Sequence, residues 1–95
     1  MTQQDLLLNM IPAFFGVIDD HFRAIAYDYT EDSISLYVYL STVHTEDDYE
    51  AIDIAITEMM ASLPNLKYQY IEMIHDLRPI NELNAYKGWF YIKKQ

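Results

Sequence analysis

The sequence predicts an α+β sandwich in the order α-β-β-α-β-β: a four-stranded antiparallel sheet with two helices packed on it. Three observations lead there. Residues 33–42 alternate apolar and polar side chains, the two-residue period of a half-buried strand. Residues 46–62 repeat apolar side chains at helical spacing. Two further runs of strand-forming residues, 66–75 and 87–94, follow a Pro64-Asn65 break.

The first helix is expected over residues 3–16. Thr2 is its N-cap, Asp5 stands in the capping-box position, and Gly16 is the stop. Leu6, Leu7, Leu8, Met10, Ile11, Ala13, Phe14 and Phe15 cover more than half of its circumference, so the domain or a second chain must cover most of it. Pro12 lies on the narrow polar stripe, where it bends the helix or splits it.

A hairpin is expected from strands 21–30 and 33–42 around Glu31-Asp32. In its second strand Ile34, Leu36, Val38 and Leu40 share one face, and Ser35, Tyr37, Tyr39 and Ser41 the other. The first strand should place Ile25, Tyr27 and Tyr29 on one face and Phe22, Ala24, Ala26 and Asp28 on the other.

The second helix is expected over 46–62, capped by Thr45 with Asp48 reaching back. Tyr49, Ile52, Ala55, Ile56, Met59, Met60 and Leu63 make its apolar stripe. Glu46, Glu50, Asp53 and Thr57 make the opposite ridge, flanked by Asp47 and Glu58. Strands 66–75 and 87–94 then close the sheet around a loop from Arg78-Pro79 to Asn84.

Ninety-five residues make one domain, 1–95, with an expected accessible surface of about 5,700 Å². The absence of Cys excludes disulfides, thiolate zinc sites and a Cys nucleophile. Two Gly cannot build a phosphate-cradling loop. The N-terminus lacks the basic start of a secretory signal, and the run from Leu6 to Phe15 is too short to span a bilayer, so the expected location is the cytoplasm.

Charge is unevenly placed. Residues 1–66 hold 12 acids and one base, Arg23, whereas residues 67–95 hold three acids and five bases. This field repels nucleic acid and anionic membrane, so neither is an expected partner. Lys67, Arg78, Lys87, Lys93 and Lys94 are too few and too late in the chain to carry phosphate contacts.

The acids fall in two groups: Asp28, Glu31 and Asp32 at the hairpin, and Glu46, Asp47, Glu50 and Asp53 on the second helix. A solvated ridge would keep a small protein soluble. Yet Glu46-Glu50 and Glu50-Asp53 repel at helical spacing by a few tenths of a kcal/mol each, with no cation interleaved. Among the tyrosines, Tyr27, Tyr29, Tyr37, Tyr39, Tyr68, Tyr70, Tyr86 and Tyr91, cross-strand packing is the ordinary role. Tyr37 and Tyr39 are the contact candidates, because they lie opposite the aliphatic face of their strand. Ile54 is an apolar position within the acidic arc: an ordinary exposed side chain or a contact anchor.

Asp19-Asp20-His21 and His44-Thr45-Glu46-Asp47-Asp48 contain metal-ligand types without the spacing of a known metal motif. Ser, His and Asp occur without a nucleophile elbow. Neither an enzyme nor a cofactor is expected.

The run Thr45-Glu46-Asp47-Asp48-Tyr49-Glu50 and the hairpin Tyr27-Asp28-Tyr29-Thr30-Glu31-Asp32 interleave acids with tyrosines. In this, and in being small, acidic and free of Cys, the chain resembles bacterial toxin immunity proteins of the colicin and contact-dependent growth inhibition type. The resemblance implies a cognate protein toxin, basic and a nuclease, as partner. It implies an acidic, tyrosine-rich binding surface made of Asp28, Glu31, Asp32, Tyr37, Tyr39, Glu46, Asp47, Glu50, Asp53 and Ile54. The competing expectation is a self-associating structural or regulatory subunit, a homodimer that buries the apolar first helix.

Overall fold

A computed structural model describes residues 2–94 of the chain. Its elements are α1 (Gln3–Ala13), β1 (Phe22–Tyr29), β2 (Ser33–Leu40), α2 (Glu46–Ala61), β3 (Tyr68–His75), a 3₁₀ turn at Ile80–Glu82, and β4 (Gly88–Ile92). The accessible surface is 5787 Å², the size scaling for a compact chain of this length.

Both predicted caps form. Thr2 Oγ1 accepts the Asp5 amide at 3.1 Å while Asp5 Oδ2 accepts the Thr2 amide at 3.2 Å. Thr45 and Asp48 repeat the reciprocal pair at the start of α2. Pro12 does not split α1, which ends one residue later at Ala13; Gly16 follows with φ +81° in the turn.

The two helices lie against one face of the sheet. Leu6, Met10 and Phe14 meet Ile52, Ala55, Ile56 and Met59 over Ile25, Tyr27, Ile34, Leu36, Val38 and Leu40. Phe22 is also on this face, contrary to simple alternation. A β-bulge between Phe22 and Ala24 inserts one residue and shifts the phase by one.

The sheet order is β3-β2-β1-β4, and the sheet is mixed rather than wholly antiparallel. β1 pairs antiparallel with β2 and β4, but β3 runs parallel to β2. The cause is the connection. The 16 residues of α2 span roughly 24 Å at the helical rise, close to the length of the eight-residue β2. α2 therefore returns the chain to the hairpin end, where the amides of Lys67 and Tyr68 donate to the Asp32 carbonyl. The next strand starts beside the start of β2 and must run the same way.

Residues 76–87 must then cross the sheet to reach β4 on the far edge. They cross the face away from the helices, where Leu83 is buried with Ala24, Ala26 and Tyr39. The two alanines leave room for the chain above them. Arg23 Nη1 ties the crossing down by donating to the carbonyls of Asp76 and Arg78 at 2.6 and 2.8 Å.

Candidate functional site

The crossing segment covers only part of the back face. Parallel pairing aligns Ser33 with Tyr68, Ser35 with Tyr70 and Tyr37 with Glu72, and antiparallel pairing aligns Asp28 with Ser35. Side chains opposite one another in a sheet share a face. The hairpin end of the back face therefore carries Tyr68, Tyr70, Glu72, Tyr37 and Asp28, with Glu31 and Asp32 exposed at its rim. Tyr68 and Tyr70 are 64% and 50% exposed, large values for tyrosines within a strand.

Aromatic contacts build this patch. Tyr86 stacks on Tyr37 with centroids 3.6 Å apart and planes at 6°. Tyr70 lies on the other side of Tyr37 at 6.0 Å. The Tyr70 hydroxyl donates to Glu72 Oε1 at 2.7 Å. That bond to a carboxylate pushes the Tyr70 phenol pKa up, and burial does the same for Tyr86. Both stay neutral at physiological pH and present hydroxyls beside carboxylates. Lys87 Nζ is the neighbouring cation, 3.7 Å from Asp28 and 4.2 Å from the Tyr29 ring centroid.

The expected contact residues divide into two groups. Asp28, Glu31, Asp32 and Tyr37 are brought together on the back face and its rim. Glu46, Asp47, Glu50, Asp53 and Ile54 lie on α2, on the other side of the sheet; all are exposed but Asp53, which is half-buried. The Asp53 carboxylate is bonded to Gln69 of β3, so this flank of the helix leans toward the β3 edge. Tyr39 joins neither group. It is 3% exposed, and its hydroxyl donates to the Asn84 carbonyl at 2.9 Å beneath the crossing segment. Burial first, and then the Tyr86 phenol, push its pKa up.

Tyr68, Tyr70, Glu72 and Tyr86 complete the candidate patch, and the sequence did not single them out as contact residues. The spacing Tyr68-x-Tyr70-x-Glu72 placed three of them on one strand face. Nothing local signalled that the face would remain open. Tyr86, which stacks on Tyr37, has φ 51°, a backbone conformation few non-glycine residues adopt.

The two ligand-type segments do meet. Asp19, His21 and Asp48 each place a ligand atom within 4.8 Å of the others. The Asp48 oxygens are already engaged, Oδ2 by the Thr45 amide and Oδ1 by His21 Nε2 at 2.7 Å. The His21–Asp48 pair therefore clamps the β1 entry to the start of α2. Burial pushes the Asp48 carboxyl up, but Thr45 and His21 outweigh it, and its pKa lies below the ordinary value.

A mixed sheet with two helices on one face and an open aromatic and acidic patch on the other has the features of a small protein-binding domain, since Tyr is enriched in interface cores. The chain belongs to the MafI2 immunity protein family, whose model matches residues 3–95, and so it is a toxin immunity protein. Its class of partner is a cognate toxin. No curated protein matches the chain. No helix among the described residues is long and apolar enough to cross a membrane.

Proposed function

We propose that the chain binds and neutralises a basic toxin, a nuclease, in the cytoplasm, in the manner of contact-dependent growth inhibition immunity proteins. It acts as an inhibitor, not an enzyme. The observation that carries this reading is the open patch of Tyr37, Tyr68, Tyr70 and Tyr86 flanked by Asp28 and Glu72. Tyrosines supply contact area and hydroxyls, and the carboxylates select a cationic surface. The ridge of Glu46, Asp47, Glu50 and Asp53 with Ile54, on the other side of the sheet, adds long-range attraction for the same partner. A nuclease that grips phosphate needs a cationic cleft, and an acidic protein seated there excludes the substrate.

Titration calorimetry with an inactivated form of the cognate toxin tests the reading. Tyr70→Ala should weaken binding by about 2 kcal/mol, the scale of an interface hot spot. Unchanged affinity in both Tyr70→Ala and Tyr37→Ala would remove the patch from the interface.

A second reading, self-association, has its own support. Leu8 and Ile11 on the outside of α1 are each 59% exposed, and Phe15 in the turn that follows the helix is 89% exposed. Sedimentation of the purified chain decides it: a dimer dissociated by Phe15→Asp supports the reading, and a monomer at all concentrations removes it.

A further inference from the structure

We infer that the cognate toxin docks by adding a basic, extended strand to the free edge of β3. The inference rests on the reading that this side of the molecule binds the toxin, and concerns how it does so.

β3 is an edge strand with β2 on one side, and no strand among the described residues lies on the other. The phase of the ladder shows which backbone groups are free. The amides of Tyr68 and Asp76 donate to the carbonyls of Asp32 and Leu40, the partners required if residues 68, 70, 72 and 74 direct their N–H and C=O groups toward β2. Gln69, Ile71 and Met73 therefore direct theirs outward. Three consecutive outward pairs are a template for another strand.

The sheet's two edges are treated differently. β4 is five residues long, its pairing with β1 is broken by a bulge, and Lys93 and Lys94 follow it. Those are devices that blunt an edge. β3 is eight residues long, pairs with β2 in unbroken register, and contains neither Pro nor Lys. The protection applied to one edge is missing from the other.

Charge selects the occupant. Glu72 borders the edge on the back face, and Asp53, bonded to Gln69, borders it on the helix face. Glu50 lies one turn before Asp53 on the same flank of α2. An added strand with Lys or Arg pointing alternately up and down would meet a carboxylate on either side. Its other side chains would rest on Tyr68 and Tyr70. A second copy would instead bring two sets of these carboxylates to one seam, in a protein of net charge −9.

Residue-resolved amide exchange tests this, on the free chain and with an inactivated form of the cognate toxin. In the free chain Gln69, Ile71 and Met73 should exchange faster than Tyr70, Glu72 and Ile74. In the complex the first three should slow by about tenfold or more, as newly hydrogen-bonded amides do. A complex that leaves them unchanged overturns strand addition while leaving toxin binding intact. Absence of any complex overturns both. Concentration-dependent protection of the same amides in the free chain assigns the edge to a second copy and overturns the inference. Gln69→Pro against Gln69→Ala gives an independent measure, because both remove the side-chain bond to Asp53 and only Pro removes the outward N–H. With both variants folded by circular dichroism, the Pro variant should bind about tenfold or more weakly than the Ala variant, one hydrogen bond's worth. Equal affinities overturn the proposal.

Discussion

Tyr86 lies flat on Tyr37, ring planes 6° apart, and so fastens the end of the segment that crosses the back of the sheet. Two further bonds hold that end: Asn84 Oδ1 accepts the Tyr86 amide at 2.8 Å, and the Asn84 carbonyl accepts the Tyr39 hydroxyl. The stack also holds Tyr37 upright between Tyr70 and the crossing segment, at the margin of the open patch.

Stacking and backbone strain oppose one another at Tyr86 and can be separated. Tyr86→Ala loses the stack, worth about 0.5–1.5 kcal/mol beyond area burial, and keeps a side chain at φ 51°. Tyr86→Gly loses the same stack and relieves the backbone by about 1 kcal/mol. Urea unfolding should rank wild type above the Gly variant, and Gly above Ala. A Gly variant no more stable than Ala would show that the left-handed backbone carries no strain here.

Gly88 opens β4 directly against the buried ring of Tyr27. A Cβ added there would stand 2.9 Å from the Tyr27 hydroxyl oxygen and 3.1 Å from the ring. Tyr27 is 1% exposed, and its hydroxyl is bonded to Gln3 of α1, so the ring has little room to retreat. Gly88→Ala should destabilise the protein by about 1–3 kcal/mol, the scale of overpacking. A melting temperature equal to wild type would mean that the β4 start moves away freely.

Acid should unfold the protein within a defined window. Asp76 is held down to about 2 by the Arg78 side chain and amide, and Asp48 is depressed by Thr45 and His21. A carboxyl whose folded pKa lies below its ordinary 3.8 contributes its full stability above pH 4. That contribution is lost as pH falls from about 4 toward 2. Thermal unfolding across pH 5 to 2 should show the loss, and Asp48→Asn should flatten the part due to Asp48. At neutral pH Asp48→Ala should cost about 1–2 kcal/mol through loss of the cap. An Asp48→Asn acid profile superimposable on wild type would show that the clamp does not govern acid unfolding.

Charge reversal on α2 should slow the encounter as well as weaken the bound state. Glu50→Lys with Asp53→Lys should slow association with the inactivated toxin domain by about tenfold at low salt. The difference should narrow as salt shortens the screening length. Stopped-flow association at two ionic strengths checks this. A rate constant unchanged at low salt would rule out steering by the ridge.

Local chemistry was the legible part of this protein. Thr2 with Asp5 and Thr45 with Asp48 announce helix starts because a cap is made by residues three apart. The alternation from Ile34 to Leu40 assigns faces because a strand repeats every two residues. The acid ridge of α2 is legible for the same reason, since helical spacing places Glu46, Glu50 and Asp53 on one flank. Phe22 marks the limit: one bulged residue inverts its face, and no residue type near it signals the bulge.

By itself, then, the amino-acid order determined which segments are helix and strand, where the helices begin, and, away from the bulge at Phe22, which side chains of each element point together. It also determined the net charge of −9 and its concentration in residues 1–66. Only the tertiary structure decided that β3 lies parallel to β2, that α2 and Tyr37 occupy opposite sides of the sheet, and that Tyr39 is covered while Tyr68 and Tyr70 stay open. The physical reason is that periodicity fixes a face but not a neighbour. Which strand lies beside which, and what crosses over them, depends on contacts between residues far apart in the chain, such as Tyr37 with Tyr86 and Tyr68 with Asp32.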